Sequence, residues 1–149
     1  MDFFLPSGHK ILIDKKDFIK LKDWHWSIHR SGMKVRGYKK GEGHKKYRWA
    51  LHRIILDAPK GVEVDHINGN SLDNRRKNLR LCTRAENCQN RRGWGKYGKC
   101  ISKSGNKFMV NIYKNNERKY LGSFTSIKEA QKARDKGLMQ IHGEFARYK

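Results

Sequence analysis

The sequence predicts an α+β fold built from small antiparallel sheets and a few helices, and three observations carry that expectation. Residues 64–87 read as a hairpin running straight into a capped helix, the last fifty residues as three strands and one helix, and the first sixty as short strands with little helix. Apolar residues make up only 36% of 149, which argues against a single large core.

Within residues 1–60, the Pro6-Ser7-Gly8 turn cluster precedes the β-branched run Ile11-Leu12-Ile13, a strand candidate. Phe18, Leu21 and Trp24 recur at helical spacing and predict one short helix inside Asp17 to Trp26. Trp26-Ser27-Ile28, Lys34 to Tyr38 and Tyr47 to His52 predict strands of a small antiparallel sheet. Their connections, Arg30-Ser31-Gly32 and Lys39 to Gly43, are basic and glycine-containing, as suits a segment lying along phosphates. At least two of Trp24, Trp26 and Trp49 are expected in the core, because a small sheet needs bulky filler. Arg53-Ile54-Ile55-Leu56 predicts a helix packed behind the hairpin, with His52 just before it.

Residues 61–93 concentrate the chemistry. Asp65 and His66 close the run Val62 to Val64, which only Glu63 interrupts, and Asn68-Gly69-Asn70 is a strong turn signal. Leu79 and Leu81 alternate with Arg80 and Cys82 as the returning strand. Thr83-Arg84-Ala85-Glu86 is a capping box, which puts Asn87 in a first helical turn. A hard divalent cation takes oxygen ligands and keeps several waters, so one carboxylate and one amide oxygen suffice to hold it. An imidazole at a strand end can then take a proton from water near neutral pH. Asp, Asn and Gly are ordinary turn residues; the weight lies in the whole constellation standing in its structural context.

Residues 94–98 belong to a glycine-, basic- and aromatic-rich stretch, Arg91 to Gly98, that predicts a linker. Residues 99–149 then offer strands at Lys99 to Ser102, Phe108 to Tyr113 and Arg118 to Phe124, with turns at Ser104-Gly105-Asn106 and Asn115-Asn116. Phe108, Val110 and Ile112 share one face of the middle strand. Ser126-Ile127-Lys128-Glu129 is a second capping box, and Ala130, Ala133, Gly137, Leu138 and Ile141 follow at helical spacing; Ala130 and Ala133 are small enough for a close approach to the sheet.

The formal charge of +21, from 35 basic against 14 acidic residues, points to a polyanionic partner. The basic excess lies on both flanks of a more balanced centre, a distribution that suits a long site on nucleic acid. No run approaches the roughly 18 apolar residues of a membrane span, and no apolar region with a cleavage site near Met1 predicts secretion. Cys82, Cys88 and Cys100 are odd in number and lack a C-x-x-C pair, which argues against structural zinc and a disulfide framework. Free thiols suit a reducing cytoplasm.

The Asp-His pair, the Asn-Gly-Asn turn, Asn74-Arg75, Asn78-Leu79 and the Thr-x-x-Glu-Asn helix start stand in the order and spacing of the HNH nuclease family. The sequence resembles its homing-endonuclease branch, with its ββα-metal fold, differing at Asp73, where that family often has a second Asn. The resemblance implies His66 as general base, Asp65 and Asn87 as ligands of one Mg2+ or Mn2+ per site, and Asn78 as the motif residue that braces the loop. Arg75 and Arg76 would contact DNA. A His-Arg pair like His52-Arg53 is frequent there and implies a supporting role.

Phe108-Met109-Val110-Asn111-Ile112, Tyr120-Leu121-Gly122-Ser123-Phe124 and the Glu129-Ala130 helix with Asp135 and Gly143 resemble the AP2 DNA-binding domain, in which the sheet enters the major groove. That resemblance implies that Asn111, Tyr113, Arg118 and Tyr120 face DNA, with Lys99 and Lys103 nearby. Cys100 stands where the family commonly has glycine.

The expected function is thus metal-dependent cleavage of double-stranded DNA, on DNA in a bacterial or phage-infected cytoplasm, without a membrane or an obligate protein partner. Two readings from other classes stand beside it: a DNA-binding regulator with a degenerate nuclease motif, and an RNA-binding protein using its aromatic and basic sheets.

Overall fold

The computed structural model describes residues 1–29, 34–39, 49–91 and 96–147. The chain divides into two compact units, Met1–Arg84 and Ala85–Lys149. Each combines antiparallel sheet with helix.

In the first unit, β1 (Asp2–Phe4) pairs with β2 (Lys10–Leu12), and β3 (Trp24–Ile28), β4 (Val35–Lys39) and β5 (Trp49–Ala50) form a three-stranded sheet. The expected helix after Asp17 is the single turn α1 (Phe18–Leu21), preceded by a 3₁₀ turn at Lys15–Asp17. Trp24, placed in that helix by its spacing, instead opens β3, where its ring stacks on Trp26 with centroids 5.3 Å apart. Trp26 is buried and donates its indole N–H to the Leu21 carbonyl at 3.0 Å. Trp49 is 54% exposed, so two of the three tryptophans pack inward.

The strand expected over residues 47–52 is corrected: Ala50 is its last residue, and α2 (Leu51–Ile55) starts at once, so His52 lies within the helix. Leu51 and Ile55, four apart and fully buried, explain why helix wins here. Residues 47 and 48, like the connections at 30–32 and 40–43 and residues 94 and 95 of the linker, lie outside the described residues.

The hairpin β6 (Glu63–His66) and β7 (Leu79–Cys82) forms as expected, with Asp65 opposite Arg80 and His66 opposite Leu79. Val64 and Leu79 join Leu5, Ile11, Ile13, Leu21, Trp26, Val35, Leu51 and Ile55 in one core. The hairpin therefore shares its apolar support with the first sixty residues.

α3 (Arg84–Gln89) follows β7. In the second unit, β8 (Ile101–Ser104), β9 (Lys107–Lys114) and β10 (Glu117–Phe124) form an antiparallel sheet in the order β10-β9-β8, and α4 (Ile127–His142) packs on it. The first strand starts two residues later than expected because Cys100 has φ 65°, a left-handed backbone that favours glycine.

A bulge between Tyr120 and Gly122 shifts the register of β10. Tyr120, opposite Asn111, lies outward, yet Leu121 and Phe124 both pack on the helix side. Strict alternation would put Tyr120 and Phe124 on the same face; the extra residue changes the parity between them.

Ser126 caps α4 by accepting from the Lys128 backbone N–H at 3.2 Å. Gly137 lets helix and sheet come close: a Cβ there would lie 2.1 Å from Leu121 Cδ1 and 2.9 Å from Ile112 Cδ1, and Ala130 is fully buried in the same layer.

Candidate active site

The loop between β6 and β7 is built from its own polar side chains. Asn68 Oδ1 accepts from the Asn70 backbone at 2.8 Å and Asn70 Oδ1 from the Leu72 backbone at 3.0 Å, two consecutive Asx turns. Gly69 takes φ 67° and donates its N–H to the His66 carbonyl at 2.7 Å. Asn78, buried, is the hub. Its Oδ1 accepts from the Asn68 backbone N–H at 3.0 Å, and its Nδ2 donates to Asn68 Oδ1 at 3.0 Å and to the Asp73 carbonyl at 2.7 Å.

Asp73 is buried and held by Arg75 in a two-pronged pair, Nε to Oδ1 and Nη2 to Oδ2, both 2.7 Å, with Asn68 Nδ2 donating to Oδ2 at 3.0 Å. These bonds hold its carboxyl below the usual carboxylate range.

The N-terminal segment clamps this loop from outside. Leu12 N–H donates to the Leu72 carbonyl at 2.9 Å, and the Asn74 N–H returns the bond to Leu12 at 2.8 Å. Asp14 Oδ2 accepts from the Arg76 backbone N–H at 2.8 Å. The Arg76 guanidinium meets buried Asp17, Nη2 on Oδ1 at 2.7 Å, and also donates to the Ile55 carbonyl at 2.6 Å. Both arginines expected on DNA, Arg75 and Arg76, thus have acidic partners in their own unit, and Arg76 in particular ties the start of β7 to the N-terminal segment.

At the end of β6, Asp65 is buried and His66 half-buried. Two of their polar partners, Arg80 and Asn74, were not assigned to them from the sequence. Arg80, opposite Asp65, donates from Nε at 3.0 Å and Nη2 at 2.8 Å to Asp65 Oδ2. His66 Nε2 lies 3.2 Å from Oδ1 of the fully buried Asn74. The Asn74 amide is oriented by its other end, since Nδ2 donates to the Ser71 carbonyl at 3.0 Å. Oδ1 is thereby turned to the imidazole as an acceptor, an arrangement that favours the tautomer with the proton on Nε2.

His52, on α2, meets His66 edge to face with ring centroids 5.1 Å apart. Burial, and then the neighbouring His66 and the cations of Arg53, Lys34 and Arg36, lower the His52 pKa from 6.5 to about 3. Burial also pushes His66 below its ordinary value, against the Asn74 hydrogen bond and the charges of Asp65 and Asp73. Arg53 does not join them: its guanidinium donates to the carbonyls of Val62, Ala58 (3.2 Å) and Pro59 (2.7 Å), fixing the segment that leads into β6.

Asn87 lies half-buried in α3, two residues into the second unit. Asp65 in the first unit carries carboxylate oxygens and Asn87 in the second an amide oxygen, each a donor type that suits a hard divalent cation better than zinc. No group of three or more His, Cys, Asp or Glu that could hold a metal occurs among the described residues. A separate open cleft of about 430 Å³, lined by Trp24, Lys39, Trp49 and Arg53 among others, contains neither Asp65 nor His66 among its described lining residues.

On the second unit, the register places Tyr113 opposite Arg118 and Asn111 opposite Tyr120, four neighbours on one face, with Tyr113 59% and Tyr120 54% exposed. Lys103, expected nearby, has its register position on the other face. It pairs with Phe108, in line with Ile101 and Val110 on the helix side. Lys99 is likewise turned elsewhere: its ammonium donates to the carbonyls of Gln89 and, at 3.1 Å, of Arg91, satisfying acceptors at the end of α3. Burial lowers its pKa.

Residues 50–89, from the last residue of β5 through α3, match the family model of HNH endonucleases. The match contains Asp65, His66, Asn78 and Asn87 and supports a nuclease acting on DNA; it stops short of the β8-β9-β10 sheet. No curated protein and no solved structure matches the chain. No helix among the described residues is long and apolar enough to cross a membrane.

Proposed function

We propose that the chain is a metal-dependent DNA endonuclease of the HNH homing type, which hydrolyses a phosphodiester with His66 as general base and one Mg2+ or Mn2+ on Asp65 and Asn87. The observation that carries this reading is the orientation of His66. Asn74 Oδ1 accepts a hydrogen bond from Nε2, which favours the tautomer with its basic lone pair on Nδ1, on a side chain next in sequence to Asp65.

In this mechanism Nδ1 takes a proton from water as the water oxygen attacks phosphorus and one ester P–O bond breaks. The lowered pKa of His66 keeps the imidazole neutral, and thus able to accept, at physiological pH. Asn78 keeps the loop closed beneath it through bonds to Asn68 and Asp73. A bound divalent ion supplies neutralisation of charge on the phosphate and on the leaving oxygen.

The outward face of the second unit, Asn111, Tyr113, Arg118 and Tyr120, is the proposed AP2-like DNA-reading surface. Aromatic, amide and guanidinium groups in one patch suit both phosphate contact and base-edge contact. Lys99 and Lys103 are left out of it by their geometry.

Incubation of supercoiled plasmid with the protein tests the reading directly. Nicking is expected with Mg2+ or Mn2+ and not with EDTA, and His66→Ala should lose it. Plasmid left intact with both ions, or cutting indifferent to EDTA, refutes it.

A further inference from the structure

One face of the β3-β4-β5 sheet carries three indoles, and they are not buried alike. The register sets Trp24 opposite Lys39, and Trp26 opposite Gly37, which in turn lies opposite Trp49. Residues directly opposite on an antiparallel pair project to one side, so Trp24, Trp26, Lys39 and Trp49 share that face. Trp26 is buried and its ring crosses Gly37, where a Cβ would come within 2.5 Å of Cε3. Trp24, half-buried, is fixed by its stacking on Trp26. Beyond the bare glycine, Trp49 stays 54% exposed.

β5 runs directly into α2, and together they shape a cleft. Trp24, Lys39 and Trp49 from the sheet, and Arg53, Ile54 and Ala58 from the helix and the turn after it, line a space of about 430 Å³. That is the size of a small-molecule site; it admits one nucleotide and not a duplex. Asp57 also lines it, but its carboxylate is paired with Lys20 at 2.5 Å. The charge contributed by the other described lining residues is positive, from exposed Lys39 and from Arg53, whose guanidinium is held on the carbonyls of Val62, Ala58 and Pro59.

We propose that this cleft takes one unpaired nucleotide of a DNA strand, with its base stacked on Trp49 and its phosphate on Lys39. The inference rests on the reading of the chain as a protein that acts on DNA. A base inside a duplex presents only its edges, whereas an unstacked base offers its face to an indole. An ammonium serves a phosphate as a point charge, which suits a contact that carries no sequence. His52 of α2 meets the ring of His66, while the next two residues, Arg53 and Ile54, line the cleft. One five-residue helix thus joins the cleft to the proposed general base, so a strand gripped here is gripped by the unit that carries His66.

The test is equilibrium binding of the full-length protein in EDTA, which withholds the metal needed for cutting, to three labelled DNAs. They are a perfect duplex, the same duplex with one extra unpaired nucleotide at its centre, and that bulged duplex with an abasic analogue as the extra nucleotide. The abasic DNA keeps the bulge and its phosphate but lacks the base. The parent should bind the bulged duplex about tenfold more tightly than the other two, as a base stacked on an aromatic side chain allows. Trp49→Ala should erase the preference, and Trp49→Phe, which keeps a ring, should restore part of it. Lys39→Gln should weaken binding of the bulged duplex and reduce its salt slope by about one unit. Trp49 lies outside the core, and the abasic comparison needs no variant at all. Equal binding of the bulged and abasic DNAs by the parent, or a preference that survives Trp49→Ala, overturns this inference alone. Tighter binding of the same bulge in RNA than in DNA also overturns it, in favour of an RNA partner. Absence of binding to all three DNAs overturns the DNA reading, and the inference with it.

Discussion

His66 Nε2 and Asn74 Oδ1 lie 3.2 Å apart, and the bond from Asn74 Nδ2 to the Ser71 carbonyl fixes which end of the amide faces the imidazole. Replacing Asn74 with Ala should therefore injure turnover more than DNA affinity. The imidazole loses the contact that defines its tautomer, and small misplacements of a catalytic group cost up to about 10²-fold. A fall in kcat of about tenfold or more is expected with Kd for DNA nearly unchanged, while His66→Ala should lose about 10²- to 10⁴-fold. Single-turnover cleavage beside filter binding measures both; an Asn74→Ala protein that cuts at the parent rate removes Asn74 from the site.

Asp65→Ala and Asn87→Ala should each abolish cleavage by removing an oxygen ligand, with duplex binding retained. Calorimetric titration with Mg2+ checks this. Unaltered ion binding in both variants would show that the metal sits elsewhere.

The motif could be read from sequence because its spacing is local. The Asn-Gly turn, the alternation of Leu79 and Leu81 and the Thr83 helix start lie within one hairpin and its exit. Arg80 was within reach, since counting outward from the turn pairs it with Asp65. Asn74 was not, because its contact with His66 depends on how an irregular loop folds back, and that loop is held by Leu12 and, through Arg76, by Asp14 and Asp17, roughly sixty residues away in sequence. Side-chain commitment was equally hidden: composition cannot show that Lys99 caps α3 or that Arg76 ends on Asp17. Which face Lys103 shares was not legible either, because it depends on register with the neighbouring strand, which the turn at Ser104-Gly105-Asn106 alone does not fix.

His52 gives the first unit a defined acid sensitivity. Its folded pKa of about 3 lies below the ordinary 6.5, so between these values the unfolded chain binds a proton that the folded chain does not. Stability should be unaffected by this group above pH 6.5, fall as pH drops below it, and level off near pH 3, with a slope of at most about 1.4 kcal/mol per pH unit. Thermal denaturation from pH 7.5 to 4 checks it. His52→Phe, which keeps a ring against His66, should flatten that slope; an unchanged slope would show that His52 is not buried in its neutral form.

Gly137 sets the contact between α4 and its sheet. In a helix interior Gly→Ala normally gains about 1 kcal/mol, but a methyl here would lie 2.1 Å from Leu121 Cδ1 and 2.9 Å from Ile112 Cδ1, and Ile112 is fully buried. Overpacking costs typically 1–3 kcal/mol, so the clash should outweigh the propensity and Gly137→Ala should lower the melting temperature. A higher melting temperature would mean that the helix and sheet part easily at this point.

The last prediction concerns the patch in which Tyr113 faces Arg118 and Asn111 faces Tyr120 across β9 and β10. Its two tyrosines are more than half exposed and stand beside an amide and a guanidinium. The bulge after Tyr120 lets Leu121 and Phe124 stay in the apolar layer while Tyr120 remains outside, so the patch and the packing beneath it are compatible. Replacing Arg118 with Ala should weaken DNA binding and reduce its salt slope by about one unit, because one phosphate contact releases about one counterion. Replacing Asn111 or Tyr120 with Ala should instead change which sites are cut, since base-edge and stacking contacts carry sequence information and phosphate contacts do not. Cleavage maps of one long DNA, compared between the parent and these variants at saturating protein, separate the two effects. Identical maps, with an unchanged salt slope for Arg118→Ala, would mean that this face does not read DNA and that site choice lies in the first unit.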